Sequence, residues 1–181
     1  MLPQTVDPVK LFMGVLYSDE ALLSAALGQL EGLYGPMDCR SQPWPFAVSE
    51  YYVPEMGSPI WRIFIGFRRL IGPQEIARIK LETNEVEAAL SAEGLRKVNL
   101  DPGYLDYDKI VLASAKYNGQ KVYLDHGIWA DLTLRYEKGR FYPYPWSFPD
   151  FKSDTYYSAF FELRQSYKTA MKDPKKSPRL S

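Results

Sequence analysis

The sequence contains a single cysteine, Cys39, and a single histidine, His126. One cysteine excludes a disulfide within the chain, and one cysteine with one histidine is too few for the common zinc sites. A metal site would have to be built from carboxylates around a hard cation such as Mg²⁺. We therefore assign no metal ligand and leave a divalent cofactor such as Mg²⁺ open.

The chain also has no excess of charge of either sign, because 22 Lys and Arg residues balance 22 Asp and Glu residues to a net charge of zero. The chain therefore lacks the electrostatic signature of a protein that binds duplex nucleic acid. Only the C-terminal end is visibly basic. We interpret residues 174–181 as a frayed tail that follows a single domain at residues 1–173.

Long hydrophobic runs are missing as well. No stretch of about 18 apolar residues occurs, so no membrane-spanning helix is expected. The N-terminal stretch MLPQTVDPVKLFMGVLYSDE has no basic segment and no long apolar run, so no secretory signal is expected. These absences predict a cytoplasmic protein without a membrane partner.

Three common site motifs are missing from the chain. It has no G-x-x-x-x-G-K-[ST] phosphate loop, no G-x-G-x-x-G dinucleotide fingerprint and no G-x-S-x-G nucleophile elbow. The standard phosphate-binding loops and the α/β-hydrolase type of serine site are therefore excluded.

Aromatic residues are abundant instead, at 15% of the chain, and many lie in RFYPYPWSFPDF at residues 140–151. Its prolines exclude a helix and discourage a central strand, so we expect an ordered loop. Trp146 and Phe148 are expected to be largely buried, because leaving such rings in water costs about 1.5–3 kcal/mol each. The rings serve either as a scaffold or as a surface for a ligand or partner.

The order of periodicities in residues 8–101 predicts a βαββαβ unit, with both helices on one face of an antiparallel sheet. The predicted elements are a strand at 9–18, a helix from 19 to 34, a hairpin of 46–53 with 60–67, a helix at 73–93 and a strand at 95–100. This order is typical of a ferredoxin-like fold.

The second half changes character, with short predicted strands joined by tight turns such as Asn118-Gly119. A final helix is predicted at residues 154–172 from its apolar spacing. The fold class is therefore α+β, a single domain in which a ferredoxin-like half is extended by a C-terminal antiparallel meander and a final helix.

Polar side chains recur on the predicted strand at residues 128–136, where alternation places Asp131 and Arg135 on one face. Lys116 lies near the end of the preceding predicted strand, where functional groups are often found. We expect these three side chains to lie close enough to share a ligand. A solvated outer face of the sheet explains the same alternation.

His126 is the natural group for proton transfer, because an unperturbed imidazole titrates near pH ~6.5. Asp101 precedes Pro102-Gly103, a dipeptide typical of turns. Each residue also has a structural interpretation, His126 in a surface loop and Asp101 as an acceptor within the turn. Asp106 and Asp108 add carboxylates, but Asp-x-Asp in a loop is a weak signal for Mg²⁺.

The segments VNLDPGYLDYDKIVLASAKYNGQKVYLDHGIWADLTLRY, PWSFPDF and IKLETNEVE resemble the bacterial and archaeal domain-of-unknown-function family 4416. The resemblance spans nearly the whole chain and implies an intracellular prokaryotic protein without an assigned activity. Some members are labelled GTP-binding proteins, yet this chain has no Asn-Lys-x-Asp guanine-binding motif. The motif positions that carry over, none with a known role, are Lys80, Thr83, Asn84, Asp101, Gly103, Tyr104, Lys116, Gly127, Asp131, Trp146 and Asp150.

Two functions compete at this point. In the first, the protein binds an anionic metabolite or nucleotide-like ligand in a polar cleft on the sheet, with a weak enzymatic activity as an option. The catalytic residues would be His126 and Asp101, and the ligand-binding residues Lys116, Asp131, Arg135, Tyr104 and Trp146. In the second, a homodimeric interaction module buries its aromatic C-terminal third against a partner.

Overall fold

The computed structural model of the chain describes residues 2–172. Within them, nine strands form one open antiparallel sheet, accompanied by four α-helices. The expected mixture of helices with an antiparallel sheet is confirmed at this level. The predicted basic tail at residues 174–181 lies outside the described residues.

The elements alternate along the first half of the chain and become strand-rich in the second. The strands are β1 (Val9–Tyr17), β2 (Met37–Arg40), β3 (Trp44–Pro45), β4 (Trp61–Ile71), β5 (Val98–Leu105), β6 (Lys109–Ser114), β7 (Val122–Asp125), β8 (Ile128–Glu137) and β9 (Arg140–Pro143). The α-helices are α1 (Glu20–Tyr34), α2 (Val53–Met56), α3 (Ile76–Ala89) and α4 (Tyr157–Met171), with 3₁₀ turns at Pro73–Glu75, Pro149–Lys152 and Asp154–Tyr156.

The strand order across the sheet is β2-β4-β1-β5-β6-β8-β7, with β3 beside β4 and β9 beside β8. Because β1 pairs with both β4 and β5, the first and last strands of the predicted βαββαβ unit lie in one sheet, as expected. Helices α1 and α3 pack on one face, against side chains such as Met13 and Val15. Helix α4 packs on the other, against Phe12 and Phe64. We call this second side the α4 face.

The predicted hairpin of residues 46–53 with 60–67 is wrong in its first strand. The neighbours of β4 at that edge are β2 and the two-residue β3, both of which precede residue 46. Residues 46–52 form no strand, and Pro54 lies in the first turn of α2, where a missing N–H costs nothing. Sequence periodicity missed β2 because its four residues, MDCR, have no apolar run.

Strand β5 departs from expectation at Pro102-Gly103. Pro102 and Gly103 lie inside it and form no turn. Pairing with β6 is confined to Gly103–Leu105, so Pro102 lies where the edge toward β6 is open and no ladder hydrogen bond is lost. Two buried side chains of α3 fill this gap. Lys80 donates to the Leu100 carbonyl at 2.8 Å, and Glu87 accepts from the Leu100 N–H at 2.6 Å.

Candidate functional site

Arg62 is a buried charged residue in the apolar first half of strand β4. Its Cα pairs with that of Leu16 of β1, and its side chain extends over the α4 face. The guanidinium carbon lies 5.1 Å from the ring centroid of Phe46 and 5.8 Å from those of Phe64 and Phe151. Rings that contact the faces of a guanidinium leave its edge, which carries the N–H groups, for hydrogen bonding.

Gly14 of β1 makes room for this guanidinium. A Cβ atom at position 14 would lie 3.1 Å from Nη1 of Arg62 and 3.3 Å from the Phe64 ring. Glycine allows such a close approach because it has no side chain. The terminal part of Arg62 therefore lies directly above the centre of β1.

The polar contacts of Arg62 are incomplete. Its Nε lies 3.5 Å from Oδ2 of Asp150, and the two side chains are only 6% and 5% exposed. Both atoms are sealed from solvent and have no hydrogen-bond partner within residues 2–172. Leaving a buried polar group without a hydrogen bond costs about 1–3 kcal/mol. Of the three guanidinium nitrogens, Nε is the one that is both sealed from solvent and without a hydrogen-bond partner within residues 2–172.

Asp101 lies next to this guanidinium on the same face. It is the cross-strand partner of Gly14, and its side chain is 28% exposed. Oδ2 accepts a 2.9 Å hydrogen bond from Asn99, and Oδ1 lies 3.9 Å from Nζ of Lys80. The carboxylate is therefore partly exposed and has lone pairs beyond the one that Asn99 uses.

Burial is the main cause of the pKa shifts of Asp150 and Tyr52. Desolvation raises the pKa of Asp150, although Arg62 opposes the shift, and Asp101 raises it further. Desolvation also raises the pKa of Tyr52 to about 12, with Asp101 adding to the increase and Arg62 reducing it. Tyr52 is thus a neutral phenol at physiological pH and can donate a hydrogen bond. We call Arg62, Asp101, Asp150, Tyr52 and Phe46 the Arg62 cluster.

Asp131 is buried on the same face and forms an ion pair with Lys121 at 3.3 Å. Lys121 also donates to Ser114 at 2.8 Å, and its Nζ lies 5.9 Å from the ring centroid of Phe148. Phe148 contacts Phe151 at 6.4 Å, so this pair adjoins the Arg62 cluster through two rings. Asp131 already has a cation of its own, which favours a structural role.

Lys116 also lies on this side of the molecule. It donates to the Tyr51 hydroxyl at 2.5 Å, and Tyr51 contacts Tyr52 of the Arg62 cluster at 5.1 Å. The sequence-predicted residues Asp101, Lys116 and Asp131 are therefore brought to one region of the α4 face.

Arg135 is not part of this region. Ile110 pairs with Leu134 but Val111 pairs with Leu132, so β8 contains a bulge that shifts its alternation by one residue. Leu134 therefore joins the core under α4, and Arg135 projects to the opposite face. There it packs on the rings of Tyr142 and Tyr144. The expectation that Asp131 and Arg135 share a face is wrong.

His126 and Tyr104 also lie apart from the Arg62 cluster. His126 occupies the tight turn between β7 and β8 with φ +50°, is exposed, and has Asp125 3.4 Å from its Nε2. Tyr104 follows Gly103 on β5 and faces the opposite side of the sheet from Asp101, where it lines a cavity of about 350 Å³ with Asp106 and Lys109. The structure gives neither residue a contact with Arg62.

The loop after β9 is held by other side chains than expected. Trp146 and Phe148 are 41% and 47% exposed, so the prediction that both are largely buried is wrong. The buried residues of this segment are Ser147, Asp150 and Phe151. Trp146 is still fixed in place, because its indole N–H donates to the Leu132 carbonyl at 2.8 Å.

Carboxylates do not gather into a metal site within residues 2–172, where no group of three His, Cys, Asp or Glu side chains could hold a cation. Asp106 instead accepts from the backbone N–H groups of Asp108 and Lys109 at 2.8 and 2.9 Å. It therefore stabilises the turn between β5 and β6.

Sequence reasoning missed Arg62, Gly14 and Phe46. The signal for Arg62 was its position in IWRIFIGF, where an arginine interrupts an apolar strand. A charged residue in a buried strand is rare unless it is paired or functional.

Comparison with known proteins places the chain in a family. No curated protein and no solved structure matches it. One family model, described as a domain of unknown function, DUF4416, matches residues 7–167. The match covers most of the chain, and the protein therefore belongs to the DUF4416 family.

Proposed function

We propose that the protein binds a small metabolite or nucleotide-like ligand through an anionic group that contacts Arg62. The observation that carries this proposal is a guanidinium that is buried, ringed by Phe46, Phe64 and Phe151, and left with one 3.5 Å ion pair as its polar contact within residues 2–172. A bidentate anion satisfies both terminal nitrogens at once, which offsets the free-energy cost of their incomplete hydrogen bonding.

The rest of the Arg62 cluster supports the same function. Asp101 offers acceptor oxygens beside the guanidinium, and Tyr52 offers a neutral hydroxyl. The ring of Phe46 is half-buried and provides an apolar wall. A few fixed polar groups against aromatic walls are typical of sites for small ligands.

A thermal-shift screen tests the proposal, because a ligand that binds only the native state raises the melting temperature. The screen covers nucleotides, sugar phosphates, carboxylates and free amino acids, with and without Mg²⁺. We expect at least one class to raise the melting temperature of the wild type and of Arg135→Gln, the matched control. The same ligand should leave Arg62→Gln unchanged. A ligand that shifts Arg62→Gln as much as the wild type contradicts the proposal.

A homodimeric interaction module is the second candidate function. An exposed aromatic patch supports it, in which Trp129 contacts Tyr117 at 5.0 Å and Tyr123 at 5.1 Å beside the exposed Val122. Strand β7 has no strand on its outer side within residues 2–172, and such edges can accept a further strand.

Replacing Trp146 with Ala tests whether the C-terminal aromatic third is an interface. Trp146 stacks on Tyr144 at 4.9 Å and keeps its hydrogen bond inside the chain, so a scaffold role predicts a loss of about 1–2 kcal/mol at every protein concentration. A loss of melting temperature that grows on dilution would support the dimer instead.

We also propose that residues 8–101 adopt the ferredoxin-like arrangement. The strand order β5-β1-β4-β2, with α1 and α3 packed on one face, supports this assignment. A cytoplasmic location and a prokaryotic source stay predictions from the sequence. None of the helices within residues 2–172 is long and apolar enough to cross a membrane.

A further inference from the structure

We infer that the ligand of the Arg62 cluster is an α-amino carboxylate, that is, a free amino acid or a close analogue, whose carboxylate contacts Arg62 and whose ammonium contacts Asp101. This inference rests on the proposed function and narrows its ligand class.

Arg62 and Asp101 are spaced to contact the two charged groups of one amino acid. Nη1 of Arg62 lies above Gly14, and Asp101 is the direct cross-strand partner of Gly14 on the adjacent strand. Neighbouring strands are separated by about 4.8 Å, so a cation and a carboxylate stand side by side at one strand spacing. An α-amino acid carries its carboxylate and its ammonium on one carbon, so both ends fit this gap.

Arg62 and Asp101 do not form an ion pair with each other. Arg62 forms its ion pair with Asp150, on the side of Nε, and has no ion pair with Asp101. Asp101 is 3.9 Å from Lys80, but the hydrogen bond of Lys80 goes to the Leu100 carbonyl. Opposite charges that lie close together without pairing leave room for a ligand that pairs with both.

Among the cations near the cluster, Arg96 and Lys121 are neutralised by carboxylates, since Arg96 forms ion pairs with Glu55 and Glu87, and Lys121 with Asp131. Lys97 donates to the Met56 carbonyl and Lys116 to the Tyr51 hydroxyl, which are neutral acceptors. Arg62 is the guanidinium that overlies the strand beside Asp101, and Asp150 already neutralises part of its charge. A phosphate dianion would be repelled by both carboxylates, whereas a zwitterion places its positive end against Asp101.

Isothermal titration calorimetry tests this inference with the full-length protein and three matched probes. A thermal-shift screen of the proteinogenic L-amino acids selects the first probe. The second is the same molecule without its amino group, and the third is the corresponding amine without its carboxylate. AMP, glucose 6-phosphate and inorganic phosphate form the phosphate arm.

We expect the selected amino acid to bind the wild type about tenfold or more tightly than the analogue without the amino group, the effect of one charged hydrogen bond. In Asp101→Asn, which keeps an acceptor for Asn99, the amino acid should lose that advantage while the analogue binds as before. Asp101→Ser provides a second variant if Asp101→Asn does not fold. Arg62→Gln should abolish binding of both carboxylates.

Three results overturn the inference, and they separate it from the proposed function. If the wild type binds the amino acid and the analogue without the amino group with equal affinity, Asp101 does not contact an ammonium group. If a phosphate probe binds in a way that depends on Arg62 and no amino acid binds, the proposed function stands. The inference that the ligand is an amino acid is then wrong. The absence of any Arg62-dependent binding in either arm contradicts both.

Discussion

Two buried basic side chains lie on the α4 face of the sheet, at different ends, and they differ in how their donors are used. Lys10 is fully buried and donates to both carboxylate oxygens of Asp38, to the Phe67 carbonyl and to Ser166, all within 2.8 Å. Arg62 is almost as buried but has one ion pair at 3.5 Å and no hydrogen bond at Nε within residues 2–172.

Under the proposed function, this difference distinguishes a structural charge, Lys10, from a charge that binds a ligand, Arg62. An ammonium has three donors, and the four contacts of Lys10 occupy all of them. A guanidinium has five donors in a planar fork, and the fold leaves this one without a full set of acceptors. Burial of an unsatisfied polar group costs stability, and such costs are concentrated at functional sites.

The largest predicted effect is the loss of stability when Lys10 is replaced. Lys10→Met leaves Asp38 and the Phe67 carbonyl without their donor, so we expect the free energy of unfolding to fall by about 3 kcal/mol. Urea denaturation measures this change. Lys109→Met, at a half-buried ion pair with Asp106, is the matched control and should cost under about 1 kcal/mol. Equal losses in the two variants would show that Lys10 is not a structural centre.

A smaller stability effect, with a clear effect on binding, is expected at Gly14. Gly14→Ala inserts a methyl group 3.1 Å from Nη1 of Arg62, so the guanidinium must move at a cost of about 1–2 kcal/mol. Ligand-induced thermal shifts should fall in the same variant. Gly28→Ala, on α1 with no atom within 4 Å of the new methyl, is the control and should gain about 0.5–1 kcal/mol with binding intact. A Gly14→Ala protein that binds like the wild type would contradict this geometry.

The stability effect at Arg62 itself is predicted to be smaller still. Arg62→Gln removes an incompletely bonded group, and the side-chain amide introduced in its place can donate to Asp150, so we expect a loss below about 1 kcal/mol. Urea denaturation in the absence of ligand gives this value beside that of Lys10→Met. A loss as large as that of Lys10→Met would mean that Arg62 is structural too.

The smallest effect is the pH dependence contributed by Asp150. Its pKa is raised by burial, so the folded chain binds more protons at this group than the unfolded chain does. The free energy of unfolding should therefore decrease as pH rises from about 4, the unfolded pKa, through the raised folded value. Asp150→Asn removes the group, so the wild type should lose stability relative to this variant across that window. Denaturation at several pH values between about 4 and 7 measures the difference, and the opposite trend would contradict it.

The sequence allowed β1, α1, β4, α3 and the final helix to be predicted, because apolar periodicity follows from which faces are buried. It did not allow β2 to be found, since its four residues are placed by pairing with β4 and not by their own apolar pattern. The bulge in β8 was equally hidden, because apolar and polar residues continue to alternate in the sequence across it. That bulge is why Asp131 and Arg135 lie on different faces of the sheet.

The candidate site was only partly predictable for a similar reason. The sequence suggested Asp131 by its alternation on a strand, Lys116 by its place near a strand end, and Asp101 by its place beside Pro102-Gly103. Arg62 and Gly14 act through a contact between β4 and β1, strands separated by a helix and a long connection. Such a contact has no local signature beyond an arginine in an apolar run.

The most direct test of the central claim is the Nε–H resonance of Arg62 in a ¹⁵N-arginine-labelled protein, assigned by comparison with Arg62→Gln. We predict that the ligand selected by the thermal-shift screen moves the Arg62 resonance in a saturable way, with a dissociation constant equal to that from calorimetry, while the Arg135 resonance stays in place. Saturable binding that leaves the Arg62 resonance unchanged would show that the ligand binds elsewhere, and the account of this site would be wrong.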